Sequence, residues 1–160
     1  MRIRDILLEK GTTVVTINTG QSIHDAIRTL TERRIGALVV TGEDKEVVGI
    51  ITERDILRVC GDSCNKLSDP GASADSPCLH LVEDAMTTDL ITGVPDDEPN
   101  FVMAVMTKNH IRHLPILDEG SLAGIISIGD LVNAHLEEKV IKSGTLKDYI
   151  SRHGTTNPLN

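Results

Sequence analysis

Two stretches of this chain carry the same chemistry-bearing pattern. Gly49-Ile50-Ile51-Thr52-Glu53-Arg54-Asp55 runs from an apolar, β-branched segment into a hydroxyl residue followed three positions later by a carboxylate. Gly124-Ile125-Ile126-Ser127-Ile128-Gly129-Asp130 repeats it 75 positions on (124 − 49). A hydroxyl with an acid at i+3 is a capping-box pattern, in which both side chains satisfy the free N–H groups of a helix start. Other reactive residue types are present without a catalytic arrangement. There is no Gly-x-Ser-x-Gly elbow, Walker loop, His-Glu-x-x-His or Cys-x-x-Cys, so the chain reads as a non-enzyme. His110-x-x-His113 spans an expected helix-to-strand junction, which spoils a shared metal-binding face. Cys60-x-x-x-Cys64 with Cys78-x-His80 offers four zinc-type ligands, but not at the spacing of common zinc knuckles. No metal site is expected, and a redox-responsive thiol pair is the other use those cysteines admit.

The composition narrows the partners. A formal charge of −8 and a pI near 5.1 work against a phosphate-backbone partner, whose affinity is driven by Lys and Arg. Phe101 and Tyr149 are the only aromatics, too few for base-stacking platforms. No apolar run approaches a membrane span, and Met1-Arg2-Ile3-Arg4-Asp5 lacks a secretory apolar stretch. Three cysteines are an odd number in an aliphatic-rich chain, which fits a reducing compartment. Neither nucleic acid nor membrane is therefore expected as a partner, and a cytoplasmic location is.

The elements that must position the two motifs are themselves repeated. Val14 to Ile17 reads as a short strand, and Ser22 caps a helix whose apolar stripe is Ile23, Ala26, Ile27 and Leu30. Glu32-Arg33-Arg34 is a solvated helix end. Ile35 to Val40 is a continuous apolar run of the kind buried on both faces, and Val47 to Ile51 is its hairpin partner. Thr52 to Val59 closes the unit as a helix. The order is strand, helix, strand, strand, helix.

The second copy follows at an offset of 76 up to its hairpin turn and 75 after it, the turn being one residue shorter. Val102, Met103 and Met106 replace the first helix stripe, and Pro99 suits that helix's first position. Met86, Met103 and Met106 read as core. Asp5-Ile6-Leu7 and Asp84-Ala85-Met86 are matching lead-in turns that pack on the repeat. The fold class is α/β (α+β), with two tandem β-α-β-β-α repeats. The expected divisions are 3–59, a linker over 60–81, 82–135, and a C-terminal helical extension and tail over 136–160. That last helix continues through a stripe of Val132, Leu136 and Val140, with Glu138 and Lys142 as a favourable i,i+4 pair. Its surplus length is available for a second subunit.

This pattern resembles the cystathionine-β-synthase (CBS) domain pair, or Bateman module, over about Ile3 to Val132. Both Gly-apolar-apolar-(Ser/Thr)-x-x-Asp motifs carry the likeness, and Ile111-Arg112-His113-Leu114-Pro115-Ile116 looks like the family's second-repeat strand. With no catalytic domain attached, the chain looks like a stand-alone pair. The resemblance implies pseudo-two-fold packing of the repeats and two clefts for adenosine-containing ligands such as AMP, ADP, ATP, NAD or S-adenosylmethionine. It also implies a flat homodimer and a regulated partner protein. No cofactor is required, and an adenine nucleotide (AMP, ADP or ATP) is the expected regulatory ligand.

By position, Asp55 and Asp130 would hold the ribose diol, and Thr52 and Ser127 would contact ribose or phosphate. Backbone around Thr16-Ile17, Ala37-Leu38 and His113-Leu114, with Pro115 beside it, would line the adenine slots. Arg54, Arg112 and His113 would supply phosphate charge. The chemistry fits, since a carboxylate accepts both hydrogens of a vicinal diol and a helix N-terminus seats phosphate. Arg54 is answered by Gly129 and Gly36-Ala37 by Arg112-His113, so the clefts are not equivalent and one occupied site is expected. The alternative is a structural or thiol-responsive interaction module with empty clefts.

Overall fold

The computed structural model describes residues 1–66 and 80–143; of residues 63–66 and 138–143 it describes the helical backbone alone. The order is α1 (Ile3–Lys10), β1 (Thr16–Asn18), α2 (Ile23–Arg33), β2 (Ala37–Thr41), β3 (Val47–Thr52), α3 (Glu53–Lys66), α4 (Val82–Ala85), α5 (Pro99–Lys108), β4 (His113–Asp118), β5 (Ser121–Ser127) and α6 (Ile128–Ser143). The tandem α/β repeat expected from the sequence is present.

Local chemistry sets the elements. The Ser22 hydroxyl accepts from the Asp25 N–H at 3.1 Å, while the Asp25 carboxylate accepts from the Ser22 N–H at 3.2 Å. The Ser22 hydroxyl, donating to Asp25 Oδ2 at 2.7 Å, and then the Ser22 N–H hold the Asp25 carboxyl below its ordinary range. Ile23, Ala26 and Leu30 are buried along the expected stripe. Arg34, at φ 54°, ends α2 in the left-handed region. α5 starts differently, with Pro99 in its first turn and no side-chain cap.

In the first repeat β1 runs parallel to β2 and β2 antiparallel to β3, with Ile17 beside Val40 and Val39 beside Ile50. In the second, β4 and β5 form an antiparallel pair with Pro115 opposite Ile125. The second copy's first strand, which the offset of 76 places around Thr92 as the match of Thr16, is reduced to one parallel bridge, Gly93 to Ile116. Gly93 and Pro95 interrupt the β-branched run there, and proline has no N–H for a ladder.

Two cores result, and each is completed by the other repeat's lead-in. Ile3, Ile6 and Leu7 of α1 are buried with Val102, Met106, Leu114, Ile116, Ile126, Leu131 and Ala134 of the second repeat. Val82 and Ala85 of α4 are buried with Ile17, Ile23, Leu30, Leu38, Val40 and Ile51 of the first. Backbone bonds tie the exchange: Ile3 N–H to Asp97 O at 3.1 Å, and Val82 N–H to Gln21 O at 2.8 Å. The lead-ins thus pack across the molecule, and Met86 and Met106 serve different cores.

Three further expectations need correction. α3 continues past Val59 to Lys66, into the stretch read as linker. Val59 and Cys60 pack on the first core, and helix propagation adds one hydrogen bond per residue, with no proline before Pro70. On α6, Leu131 and Ala134 face the core, whereas Val132 and Leu136 are 43% and 45% exposed. The side chains of Val140, Glu138 and Lys142 lie outside the described residues, as does the tail from 144 on. α3 and α6 have 14 and 16 residues, so the expected surplus of the last helix is small. Among the described residues no helix is long and apolar enough to cross a membrane.

Candidate functional site

α3 and α6 start the same way. Asp55 Oδ2 accepts from the Thr52 N–H at 2.9 Å and the Thr52 hydroxyl at 2.7 Å. Asp130 Oδ2 accepts from the Ser127 N–H and hydroxyl, both at 2.7 Å. The capping box is therefore formed in both copies. Each carboxylate then has a cationic neighbour of different origin. Arg58 Nη2, one turn along α3, donates to Asp55 Oδ1 at 3.2 Å and to Ala85 O at 3.2 Å. Lys10 Nζ, at the end of α1, donates to Asp130 Oδ2 at 2.6 Å and to Ile125 O at 3.1 Å. Burial pushes the Asp130 carboxyl up, but bonds from Lys10 and Ser127 outweigh it and hold the group below its ordinary range. Asp55 is the more enclosed, 6% exposed.

The repeats meet where Gly36-Ala37 faces Arg112-His113. The His113 ring lies 3.2 Å from where a Cβ on Gly36 would stand, so the glycine makes room for the imidazole. Burial, then the Arg112 and Lys10 charges, pull the His113 pKa below 6.5 against the opposing pull of Glu53 and Asp130. That lowering favours the uncharged ring, which can donate or accept a hydrogen bond at the seam.

Three cavities open on this seam. One of ≈ 140 Å³ holds Thr52, Arg54, Asp55 and Ile50 of the first repeat against His110, Arg112 and His113 of the second, with Thr87 from the lead-in. A smaller one of ≈ 50 Å³ shares Ile50, Thr87, Ile111 and His113 and adds Asp89, Leu90, Ile91 and Pro115. The largest, ≈ 830 Å³, is an open groove walled by apolar residues of α2 and α3, with Arg34, Arg112, His113, Ser127 and Ile128 along the seam. Basic groups at the N-terminus of α3 can hold a phosphate, and Asp55 beside them can accept a diol.

Thr52, Arg54, Asp55, Arg112 and His113 are therefore brought together in one cavity, with Pro115 in the next. Ser127 lies on the groove. Thr16, Ile17, Ala37, Leu38 and Leu114 line none of these three cavities. Ile17, Ala37, Leu38 and Leu114 are core residues at 6% exposure or less, and β1 pairs with β2 away from the seam. Asp130 lies under Lys10. Thr87, Leu90, Ile91 and Lys10 were missed by sequence reasoning, and Arg34 and His110 were read instead as a solvated helix end and half of a spoiled metal pair. The repeat offset carried a signal for these last two, since Arg34 and His110 are 76 apart and both adopt φ near +55°.

His110 and His113 do share a cavity despite the junction between them, although no group of three metal-ligating side chains occurs among the described residues. Cys60 is a half-buried free thiol on α3. The side chains of Cys64 and Cys78 lie outside the described residues.

The CBS domain family model matches residues 3–62 and again 82–137. The CBS domain-containing protein CBSX3, mitochondrial, of Arabidopsis thaliana is 35% identical over 156 residues, 92% of this chain and 71% of that protein. The crystal structure of the CBS-domain containing protein ATU1752 from Agrobacterium tumefaciens superposes with a TM-score of 0.71 at 37% identity, covering 84% of this chain and 92% of that one. The CBS domain pair of protein MJ0100, in complex with 5-methylthioadenosine and S-adenosyl-L-methionine, gives a TM-score of 0.69 at 26% identity, covering 84% and 99%.

Proposed function

The chain belongs to the CBS domain family and carries two of its repeats, and from that premise we propose that it is a non-enzymatic regulatory module for an adenosine-containing, phosphorylated ligand (AMP, ADP or ATP). The ligand binds between the repeats, alters their packing and so acts on a partner protein. One observation carries this reading: Thr52, Arg54 and Asp55 at a helix start face His110, Arg112 and His113 across the repeat seam. The bound adenosyl ligands of the MJ0100 pair support it. Asp55 and Asp130 are the ribose carboxylates, Thr52 and Ser127 stand beside them, and no cofactor is required.

Size supplies the mechanism. Ligand pockets for such molecules are about 300–1,000 Å³, whereas the Asp55 cavity is ≈ 140 Å³. A nucleotide enters by parting the seam and so favours the parted arrangement, which is how a ligand shifts an equilibrium. Pairing with a second copy is supported by Leu57 and Val132, equivalent residues of the two repeats (132 − 57 = 75) that are 70% and 43% exposed. The odd number of cysteines supports a reducing compartment, which we take to be the cytoplasm.

Thermal unfolding against AMP, ADP, ATP, NAD, NADH and S-adenosylmethionine tests the reading. At about 100 times the dissociation constant, binding adds roughly 2.7 kcal/mol and raises the midpoint by several degrees. A rise with AMP, ADP or ATP, reduced in Asp55→Ala or Asp130→Ala, identifies the working cleft. No rise with any ligand in nucleotide-free protein would sink the reading and favour a thiol-responsive interaction module.

A further inference from the structure

The two seam carboxylates differ in what closes them. Aligning Asp5-Ile6-Leu7 with Asp84-Ala85-Met86 sets the lead-ins 79 residues apart, which puts Asp89 where the first lead-in has Lys10 (89 − 10 = 79). Ile50 and Ile125 are likewise equivalent. Ile50 is covered by neutral backbone, exchanging hydrogen bonds of 3.0 and 2.9 Å with Thr87. The Ile125 carbonyl is instead covered by the Lys10 ammonium, which goes on to Asp130. A segment from the first repeat thus reaches into the second and lays a charge on its helix start, a contact with no counterpart at Asp55 among the described residues.

We infer that Lys10 is the specificity-determining residue of the Asp130 cleft, closing it to uncharged or cationic adenosyl compounds and admitting phosphorylated ones. The inference rests on Asp130 being a ribose carboxylate. Asp130 Oδ1 accepts no hydrogen bond from the described residues, but Oδ2 holds Ser127 and Lys10, so a diol spanning both oxygens competes with the ammonium. A neutral nucleoside replaces a charge-assisted bond by a weaker neutral one and leaves the ammonium unpaired. Its surroundings stay basic on balance, since Arg34 and Arg112 line the groove at Ser127 against one acid, Glu53. A phosphate gives the displaced Lys10 a new anionic partner. A sulfonium, as in S-adenosylmethionine, adds repulsion.

Calorimetric titration of the full chain with AMP, adenosine and S-adenosylmethionine tests this in an Asp55→Asn background, which weakens the other cleft. With Lys10 present, AMP binds at least about tenfold more tightly than adenosine, the scale of one charged hydrogen bond. Lys10→Met, which keeps the aliphatic stem, weakens AMP and strengthens adenosine until the preference is about threefold or less, while Lys10→Arg retains it. An unchanged AMP-to-adenosine ratio in Lys10→Met protein with a native melting transition overturns the inference. If Asp130→Asn abolishes binding in that case, the ribose reading survives and only the role of Lys10 fails. If Asp130→Asn leaves all binding unchanged, the ribose reading itself fails and takes the inference with it.

Discussion

Asp55 and Asp130 hold their helices by the same bonds to Thr52 and Ser127, yet one carboxylate is met by Arg58 of its own helix and the other by Lys10, 120 residues away in the chain. Equal local motifs therefore do not make equal sites. The hydroxyl-to-acid spacing sets the start of a helix, and the exchanged lead-ins set its electrostatic surroundings. Because α1 completes the second core and α4 the first, each repeat's cleft is furnished partly by a segment from the other side of the molecule. That arrangement gives the two duplicated helix starts different cationic neighbours.

The exchange can be broken most directly at the equivalent residues Ile51 and Ile126, both fully buried. Ile51→Ala and Ile126→Ala each remove contacts from one core and should cost about 2–5 kcal/mol. Urea unfolding of both variants should remain a single transition, since the lead-ins couple the cores. Two separate transitions in either variant would show that the exchange does not join the repeats cooperatively.

A smaller effect compares the lead-in contacts themselves. A Cβ on Gly49 would stand 2.6 Å from Met86 Sδ and 3.0 Å from the Thr87 carbonyl oxygen, and one on Gly124 would stand 2.5 Å from Leu7 Cδ2. Gly49→Val and Gly124→Val should each cost about 1–3 kcal/mol by overpacking. The cost at Gly49 should be the larger, because backbone cannot step aside as the end of a leucine can. A greater shift of the urea midpoint at Gly124 would reverse the ranking of the two interfaces.

The smallest effect concerns the seam. His113 has its folded pKa below 6.5, so its contribution is fully present above that value and is lost as pH falls through 6.5 toward the folded pKa, because the unfolded chain takes up the proton more readily. Native protein should lose more stability between pH 7.5 and pH 5.5 than His113→Ala, which carries the residue of the equivalent position, Ala37. The depressed pKa values of Asp25 and Asp130 act only below about 3.8 and leave this window clear. Parallel pH profiles for the two proteins would remove His113 from the account.

Much of this was legible in the sequence because it is local. The 75- and 76-residue offsets gave the tandem repeat, Ser22 with its stripe gave α2, and the two motifs gave the starts of α3 and α6. Local patterns also misled where a competing residue intervened, as Gly93 and Pro95 did at the strand expected around Thr92. Apolar periodicity marks a face to be covered but not the surface that covers it, so Ile6 and Ala85 announced burial without naming the repeat they would enter. The Lys10–Asp130 pair, the His113 ring against Gly36, and the place of Thr87 on the Asp55 cavity depend on segments far apart in the chain. Sequence alone determined the repeats, their helix starts and the i,i+3 pairing of Arg58 with Asp55, since contacts over three or four residues encode them; tertiary packing alone decided that Lys10 faces Asp130.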